Sequence, residues 1–295
     1  MNIKKIETKL NNINQIYKIV ESNKNVTLIN ILKLSKLINN YFERSRYSKE
    51  LINKIQKKYN VTHELLKSSS LVNFSKKKNH FSTIWVYISE IEKFDTDSYK
   101  KHENSLLKNF NIGSDVIIAV GKRAVDFAKL NNYKIIFERE INEVEILSNI
   151  LPQYIENYLE INGFHNLKFI INSSKILDSY ITVLPIDQNN FSFEQNKGIK
   201  HNLDHLSKVK IYPNTTSFID NEIHNYLTYV TLSLLTESSL IYEKYNLVIQ
   251  NKTLNDLEEK RRKTKIKLLN EKREIEVEQL SLLSNKKDML HTSKE

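Results

Sequence analysis

Two places in the sequence gather residues that chemistry could use. His201 and His205 flank Asp204 at a spacing of four. On a helix this spacing would put both imidazoles on one face, as a zinc site requires. The surrounding stretch, Asp187–Lys208, is polar and aperiodic, so it reads as a loop, and no third convergent ligand is visible. A metal site is not expected. Gly121-Lys122 follows the apolar run Val116–Val120 and opens a helical pattern, as a phosphate loop does. A phosphate loop needs a run of glycines, so that several backbone N–H groups can be aimed at the anion. That run is missing, and a plain strand-to-helix turn is the better reading. The chain has no Cys, which removes thiolate nucleophiles, thiolate metal sites and disulfides together, and it has only 4 Gly. No arrangement of Ser, His and Asp suggests a triad, and the acids fall mostly on exposed helix faces. The expectation is a non-catalytic chain with no metal and no cofactor.

The elements that would position any site follow from the helix breakers. All 3 Pro and all 4 Gly lie between positions 113 and 213. Flanks free of both predict long terminal helices around a mixed domain. In the first flank Ile3, Ile6, Leu10, Ile13, Tyr17 and Val20 alternate spacings of three and four. The register returns at Ile31, Leu34, Ile38 and Tyr41, skips Ser45 and Ser48, and resumes at Ile52, Ile55 and Tyr59. A 3.5-residue repeat of this length predicts a supercoiled helix roughly 85 Å long, which needs a partner helix. Lys24 and Thr27 occupy seam positions, so a kink or short break is expected over Glu21–Thr27. In the last flank Ile223, Leu227, Val230, Leu234, Ile241 and Val248 mark a stripe. Leu34 and Leu234 are both expected in the buried seam of the helix pair. Beyond Lys252 the chain is highly charged, and only Leu268, Ile275 and Leu282 keep a seven-residue spacing. One helix is read over 216–283, with fraying after Ser284.

Between the flanks, strands are predicted at Phe81–Ser89, Asp115–Gly121, Tyr133–Glu138, Asn166–Ser173 and Ser179–Ile186. Helices are predicted at Lys100–Phe110, Lys122–Leu130 and Glu143–Ile161. The apolar run of the second strand marks a central parallel strand. The last two strands are joined by too few residues for a crossover, so they are antiparallel. Lys210–Pro213 reads as a short extended segment. The fold class is α/β: an antiparallel coiled coil of long N- and C-terminal helices with an inserted Rossmann-like α/β domain. The divisions are a long helix at 1–60, a linker at 61–79, the α/β domain at 80–187, a loop and short strand at 188–215, and the C-terminal helix with a frayed tail at 216–295.

Charge narrows the partners. The net charge is +10, and residues 1–60 hold 13 Lys+Arg against 4 Glu. A basic helix fits nucleic acid, an acidic lipid surface, an acidic protein collar, or simply a solvated face. Stacking aromatics beside the basic residues are few, so nucleic acid is not expected as a partner. Hydrophobic content of 40% is enough for a core. The longest apolar runs, such as Val116–Val120, fall far short of the ~20 residues that span a bilayer. Lys4 and Lys5 are not followed by a continuous apolar stretch, so no secretory signal is read. The crowding of Asn, Lys and Ile over Ala and Gly points to an AT-rich genome.

Several short stretches, taken in order and spacing, resemble the gamma subunit, or central rotor shaft, of F-type ATP synthases. Leu28–Leu37 is similar to the family's apolar stretch that closes on Ser-Lys-Leu, here Ser35-Lys36-Leu37. Ile118–Ala124 resembles its strand ending in Gly-Lys, and Ser179–Pro185 its strand ending in Leu-Pro. Tyr212-Pro213 resembles the Glu-Pro that opens its last helix, Tyr242-Glu243 its Ser-Glu pair, and Asn270–Arg273 its Asn-x-x-Arg motif. The family's Asp-Arg-Gly-Leu loop is replaced by Ser89-Glu90-Ile91-Glu92, and its Arg-Met pair by residues around Leu247-Val248. The resemblance implies a divergent member from an AT-rich bacterium, housekeeping or specialised. It implies a non-catalytic axle in a ring of alpha and beta ATPase subunits, with a possible foot subunit at the α/β domain. It places the chain peripherally on the cytoplasmic side of the cell membrane, reached only through the complex. Asn270, Arg273, Glu243 and Lys36 are the implied partner-contact residues. The residues themselves leave open a coiled-coil adaptor with an α/β contact domain and, more weakly, an RNA-binding protein.

Overall fold

The computed structural model describes residues 3–61, 65, 82–91, 98–163, 165–173, 179–188, 210–212 and 214–291, with side chains of the last helix up to 283. The predicted loop with His201, Asp204 and His205, most of the linker at 61–79, and Pro213 lie outside these residues. In chain order the elements are α1 (Ile3–Tyr59), β1 (Thr83–Ile88), α2 (Lys100–Asn109), β2 (Val116–Val120), α3 (Lys122–Leu130), β3 (Ile135–Arg139), α4 (Val144–Asn162), β4 (Asn166–Ile170), β5 (Ile181–Leu184) and α5 (Thr215–His291). The protein is mixed α/β, with a five-stranded mixed sheet and two long helices. It divides into two compact units, Met1–Asn30 with Lys244–Glu295, and Ile31–Glu243.

The larger unit is built on the sheet, in the order β3-β2-β1-β4-β5. β1 pairs in parallel with both β2 and β4, β2 pairs in parallel with β3, and β5 is antiparallel to β4. Every residue of β1 and β2 is buried, because helices cover both faces. Side-chain alternation divides the two cores. Trp85, Tyr87, Ile117 and Ala119 face a cluster with Leu106 of α2 and Val125 of α3. Ile84, Val86, Ile118 and Val120 face the opposite cluster, with α4, with Leu51, Ile52 and Ile55 of α1, and with Ile219–Leu235 of α5. The chain's three alanines, Ala119, Ala124 and Ala128, are all fully buried where β2 meets α3. Lys210–Tyr212 forms no strand, where a short extended segment was expected.

α1 runs unbroken through Glu21–Thr27, where a kink was expected. No Gly or Pro interrupts it, and its polar seam residues are accommodated. Thr27 is buried and its Oγ1 accepts a hydrogen bond from Gln250 Nε2 at 3.0 Å. A half-buried lysine such as Lys24 can cover a seam with its stem while its ammonium stays in water. The skipped serines, Ser45 and Ser48, are also buried in register.

In the smaller unit, Lys272 Nζ lies 2.9 Å from Glu7 Oε1, Arg261 stacks 5.2 Å over the Tyr17 ring, and Gln250 reaches Thr27. Numbers rise on one helix as they fall on the other, so the two segments run antiparallel. The buried side of α5 here is Leu254, Leu257 and Leu268, with half-buried Arg261 and Thr264 between them and half-buried Glu271 after them. Val248, expected on the stripe, is 54% exposed. Ile275 and Leu282 keep the spacing of Leu268 but are exposed, because the Lys272–Glu7 contact already reaches the first turns of α1. α5 continues as helix to His291 instead of fraying after Ser284. In the larger unit Leu34 is half-buried beside Ile38, Phe42 and Leu240. Leu234 is buried as expected, in a cluster that joins the sheet to Leu51, Ile52 and Ile55 of α1.

Candidate functional site

The carboxyl ends of the parallel strands gather a set of hydrogen-bonded polar side chains. β2 ends at Val120 and α3 begins at Lys122, leaving one residue for the turn. Gly121 fills it at φ +95°, and a Cβ there would stand 2.0 Å from the carbonyl oxygen of Ser89. Both the dihedral and the contact require glycine. The Ser89 hydroxyl accepts a hydrogen bond from the Ala124 N–H at 2.9 Å, in the first turn of α3. The turn that looked like a phosphate loop is thus closed by the chain's own serine, with Lys122 exposed beside it.

Next to it, Glu90 is held inward from the end of β1. Its Oε1 accepts from Asn142 Nδ2 at 2.5 Å and from Ser238 Oγ of α5 at 3.0 Å. Its backbone N–H donates to the Tyr99 hydroxyl at 2.9 Å. Burial pushes the Glu90 carboxyl above the usual carboxylate range, and the two hydrogen bonds only partly oppose it. Asn142 Oδ1 is buried and has no hydrogen-bond partner among the described residues. A second assembly stands alongside. Glu103 of α2 accepts from Arg123 Nε at 2.7 Å and Nη2 at 2.8 Å, and from the Tyr87 hydroxyl at 2.8 Å. Burial, with Glu103 adding to it, raises the Tyr87 pKa, so its hydroxyl stays protonated and can donate.

α5 closes the sheet at the next strand. Glu237 is fully buried and accepts from Ser173 Oγ at 2.7 Å, just past β4. Glu237 and Ser238 are adjacent on α5, and they reach the ends of adjacent strands, β4 and β1. This is where strand order reverses, the position at which doubly wound sheets hold ligands. Here side chains of α5 take it. Sequence reasoning missed Glu237, yet a signal exists: it is the sole acid between Glu222 and Glu243, inside an apolar stretch. Glu90 was noted only as part of a replaced loop.

A cleft of about 700 Å³ opens beside these groups, lined from the ends of β1, β2 and β3, by α2 and α3, and by Ser239 and Tyr242 of α5. Among the described residues no group of three His, Asp or Glu side chains converges as a metal site. No described helix is long and apolar enough to cross a membrane.

The four residues singled out from sequence lie elsewhere. Asn270 and Arg273 are exposed within one turn of α5, Arg273 lining a shallow depression with Val277 and Leu282. Lys36 is exposed on α1 and Glu243 is half-buried on α5. None of them belongs to the cleft.

Comparison with known proteins matches this chain to a curated relative. It is 30% identical to the "Uncharacterized protein UU050" of Ureaplasma parvum serovar 3 over 289 residues, covering 96% of this chain and 94% of that protein. The chain belongs to the family of that Ureaplasma protein. Searched against family models, it matches none. Two cryo-EM structures of Euglena gracilis mitochondrial ATP synthase are also similar. One, of the OSCP/F1/c-ring in rotational state 3, matches at 12% identity and TM-score 0.39, covering 99% of this chain and 96% of that one. The other, of the rotor in rotational state 1, matches at 13% identity and TM-score 0.40, covering 92% and 98%.

Proposed function

We propose that this chain is the central shaft of an F-type or F-like rotary ATPase. In this reading α1 and the later part of α5 form an antiparallel coiled coil that turns inside a ring of three alpha and three beta subunits. The observation that carries it is the keying of α5 into the sheet through Glu237–Ser173 and Ser238–Glu90, in a helix of 77 residues. A shaft must pass torque to a globular base without slipping. Buried, directional hydrogen bonds to carboxyl groups resist twist better than apolar packing, which tolerates rotation about a helix axis. The residues that resemble the gamma subunit support the same reading.

The chain then contributes no catalytic group. ATP is bound and cleaved by the ring, and the asymmetric shaft presents a different face to each of three sites. Shaft orientation biases the sites and their occupancy biases the shaft, with reciprocal coupling. Over Lys252–Glu278 the surface is charged with only a narrow apolar stripe, which suits a part that slides. Asn270, Arg273, Glu243 and Lys36 are the proposed ring contacts. The α/β unit would stand outside the ring and hold a foot subunit, and the complex would sit peripherally on the cytoplasmic side of the membrane.

The test is purification of the native complex through a tag on this chain, with an ATPase assay. Two larger subunits in threefold excess and ATP hydrolysis are expected, while the isolated chain shows no turnover. Turnover that tracks with the isolated chain, or a complex lacking ATPase subunits, would overturn the proposal and leave the coiled-coil adaptor reading.

A further inference from the structure

The cleft at the carboxyl ends of β1–β3 has two properties that the shaft reading does not use. Its floor consists of acceptors. Glu90 offers a carboxyl oxygen, since Asn142 and Ser238 both bond to Oε1 and leave Oε2 outside those bonds. Asn142 Oδ1 is buried and has no donor among the described residues. The walls add Asp126 and Glu140 against Lys122, while Arg123 is already committed to Glu103. An acceptor-lined cleft of this sign stands out on a chain of net charge +10.

The second property is the rim. Ile91 is 68% exposed, Ile141 64% and Leu130 82%, and all three line the same cleft. Large apolar side chains ringing a polar pocket form the pattern of a protein contact with one buried anchor, in which the ring excludes water from the central pair. A small free cation would fill the floor and leave this rim in water.

We propose that the cleft receives a Lys or Arg side chain of a partner protein, flanked on the partner by apolar residues. The cationic head would lie against Glu90, on the side of the cleft that also carries Asp126 and Glu140. The flanking residues would cover Ile91, Leu130 and Ile141. This inference does not rest on the shaft reading, because the cleft lies wholly within the unit Ile31–Glu243 and its chemistry is independent of any ring.

The full-length chain tests it with a fluorescent peptide carrying one central Arg among Leu and Ser residues, a twin with Glu in place of the Arg, and n-butylguanidinium. The Arg peptide is expected to bind and the Glu twin not to. Glu90→Gln should weaken the Arg peptide about tenfold, the loss of one charged hydrogen-bond partner. Ile141→Ser, at an exposed position that leaves the fold intact, should weaken it as well. Equal binding of the Glu twin, or no loss in either variant, would overturn the proposal. Binding of n-butylguanidinium without the Arg peptide would overturn the protein source and assign the cleft to a free cation.

Discussion

Glu90 makes a claim that pH can check. Its carboxyl has a raised pKa in the folded chain, so the native state holds that proton more tightly than the unfolded state does. The contribution to stability is therefore full below the ordinary value of 4.5 and is lost as pH rises through the raised one. Glu90→Gln keeps the shape and removes the ionisation. Denaturant unfolding at pH 5 and pH 8 should show the variant gaining on the parent at the higher pH, and a constant difference would show that Glu90 is not buried as described. Gly121 is the sharper case. Gly121→Ala must place a Cβ against the Ser89 carbonyl at a positive φ, so it should cost about 2 kcal/mol or more. Equilibrium unfolding measures this directly, and a loss under about 0.5 kcal/mol would be the range of an unremarkable surface change. Gly121 was legible in the sequence as a strand-to-helix turn, whereas Glu90 was not legible as a partner. Glu90 and Ser238 are 148 positions apart, and no local pattern encodes a hydrogen bond across that distance.

For the helices, legibility depended on how many faces are buried. α1 has one covered side over most of its length, so a single 3.5-residue register found Ile6, Ile13, Ile38, Ile52 and Ile55 without ambiguity. α5 is different. Between Tyr226 and Ile241 it buries residues on several sides, including Leu234 in the sheet core and Leu240 beside Ile38 and Phe42. A stripe drawn from Leu234 through Ile241 therefore arrives at Val248, one position past Leu247, while the buried line runs from Leu240 to Leu254 and Leu268. The distinction is measurable. Leu254→Ala should lower stability by about 2 kcal/mol, at the low end for a buried leucine because one helix pair alone covers it. Val248→Ala should stay within about 0.5 kcal/mol. Thermal unfolding followed by far-ultraviolet circular dichroism separates the two, and equal losses would restore the stripe read from sequence. Of the sheet, the all-apolar β2 announced its burial, whereas the central place of β1 follows only from its pairing on both sides.

At the scale of the molecule, one helix belongs to two compact units, and the shaft proposal turns on what its second part does. Removing residues 252–295 from a reconstituted complex should leave the α/β unit folded while lowering ATP hydrolysis and its cooperativity. An unchanged rate with unchanged cooperativity would remove this segment from any coupling role. Alanine at Asn270 or Arg273 alone should shift binding by ~0–1 kcal/mol, as expected of exposed, screened contacts. The pairing of α1 with α5 also sets a clock on biosynthesis. Thr27 and Gln250, which touch in the finished protein, are 223 residues apart. At ~5–20 residues per second, the partner leaves the ribosome roughly 10–45 s after the segment it must cover. Throughout that interval the Ile6–Tyr17 face of the nascent chain is synthesised but unsheltered, a substrate for trigger-type holdases and for pairing with neighbouring nascent copies on the same message.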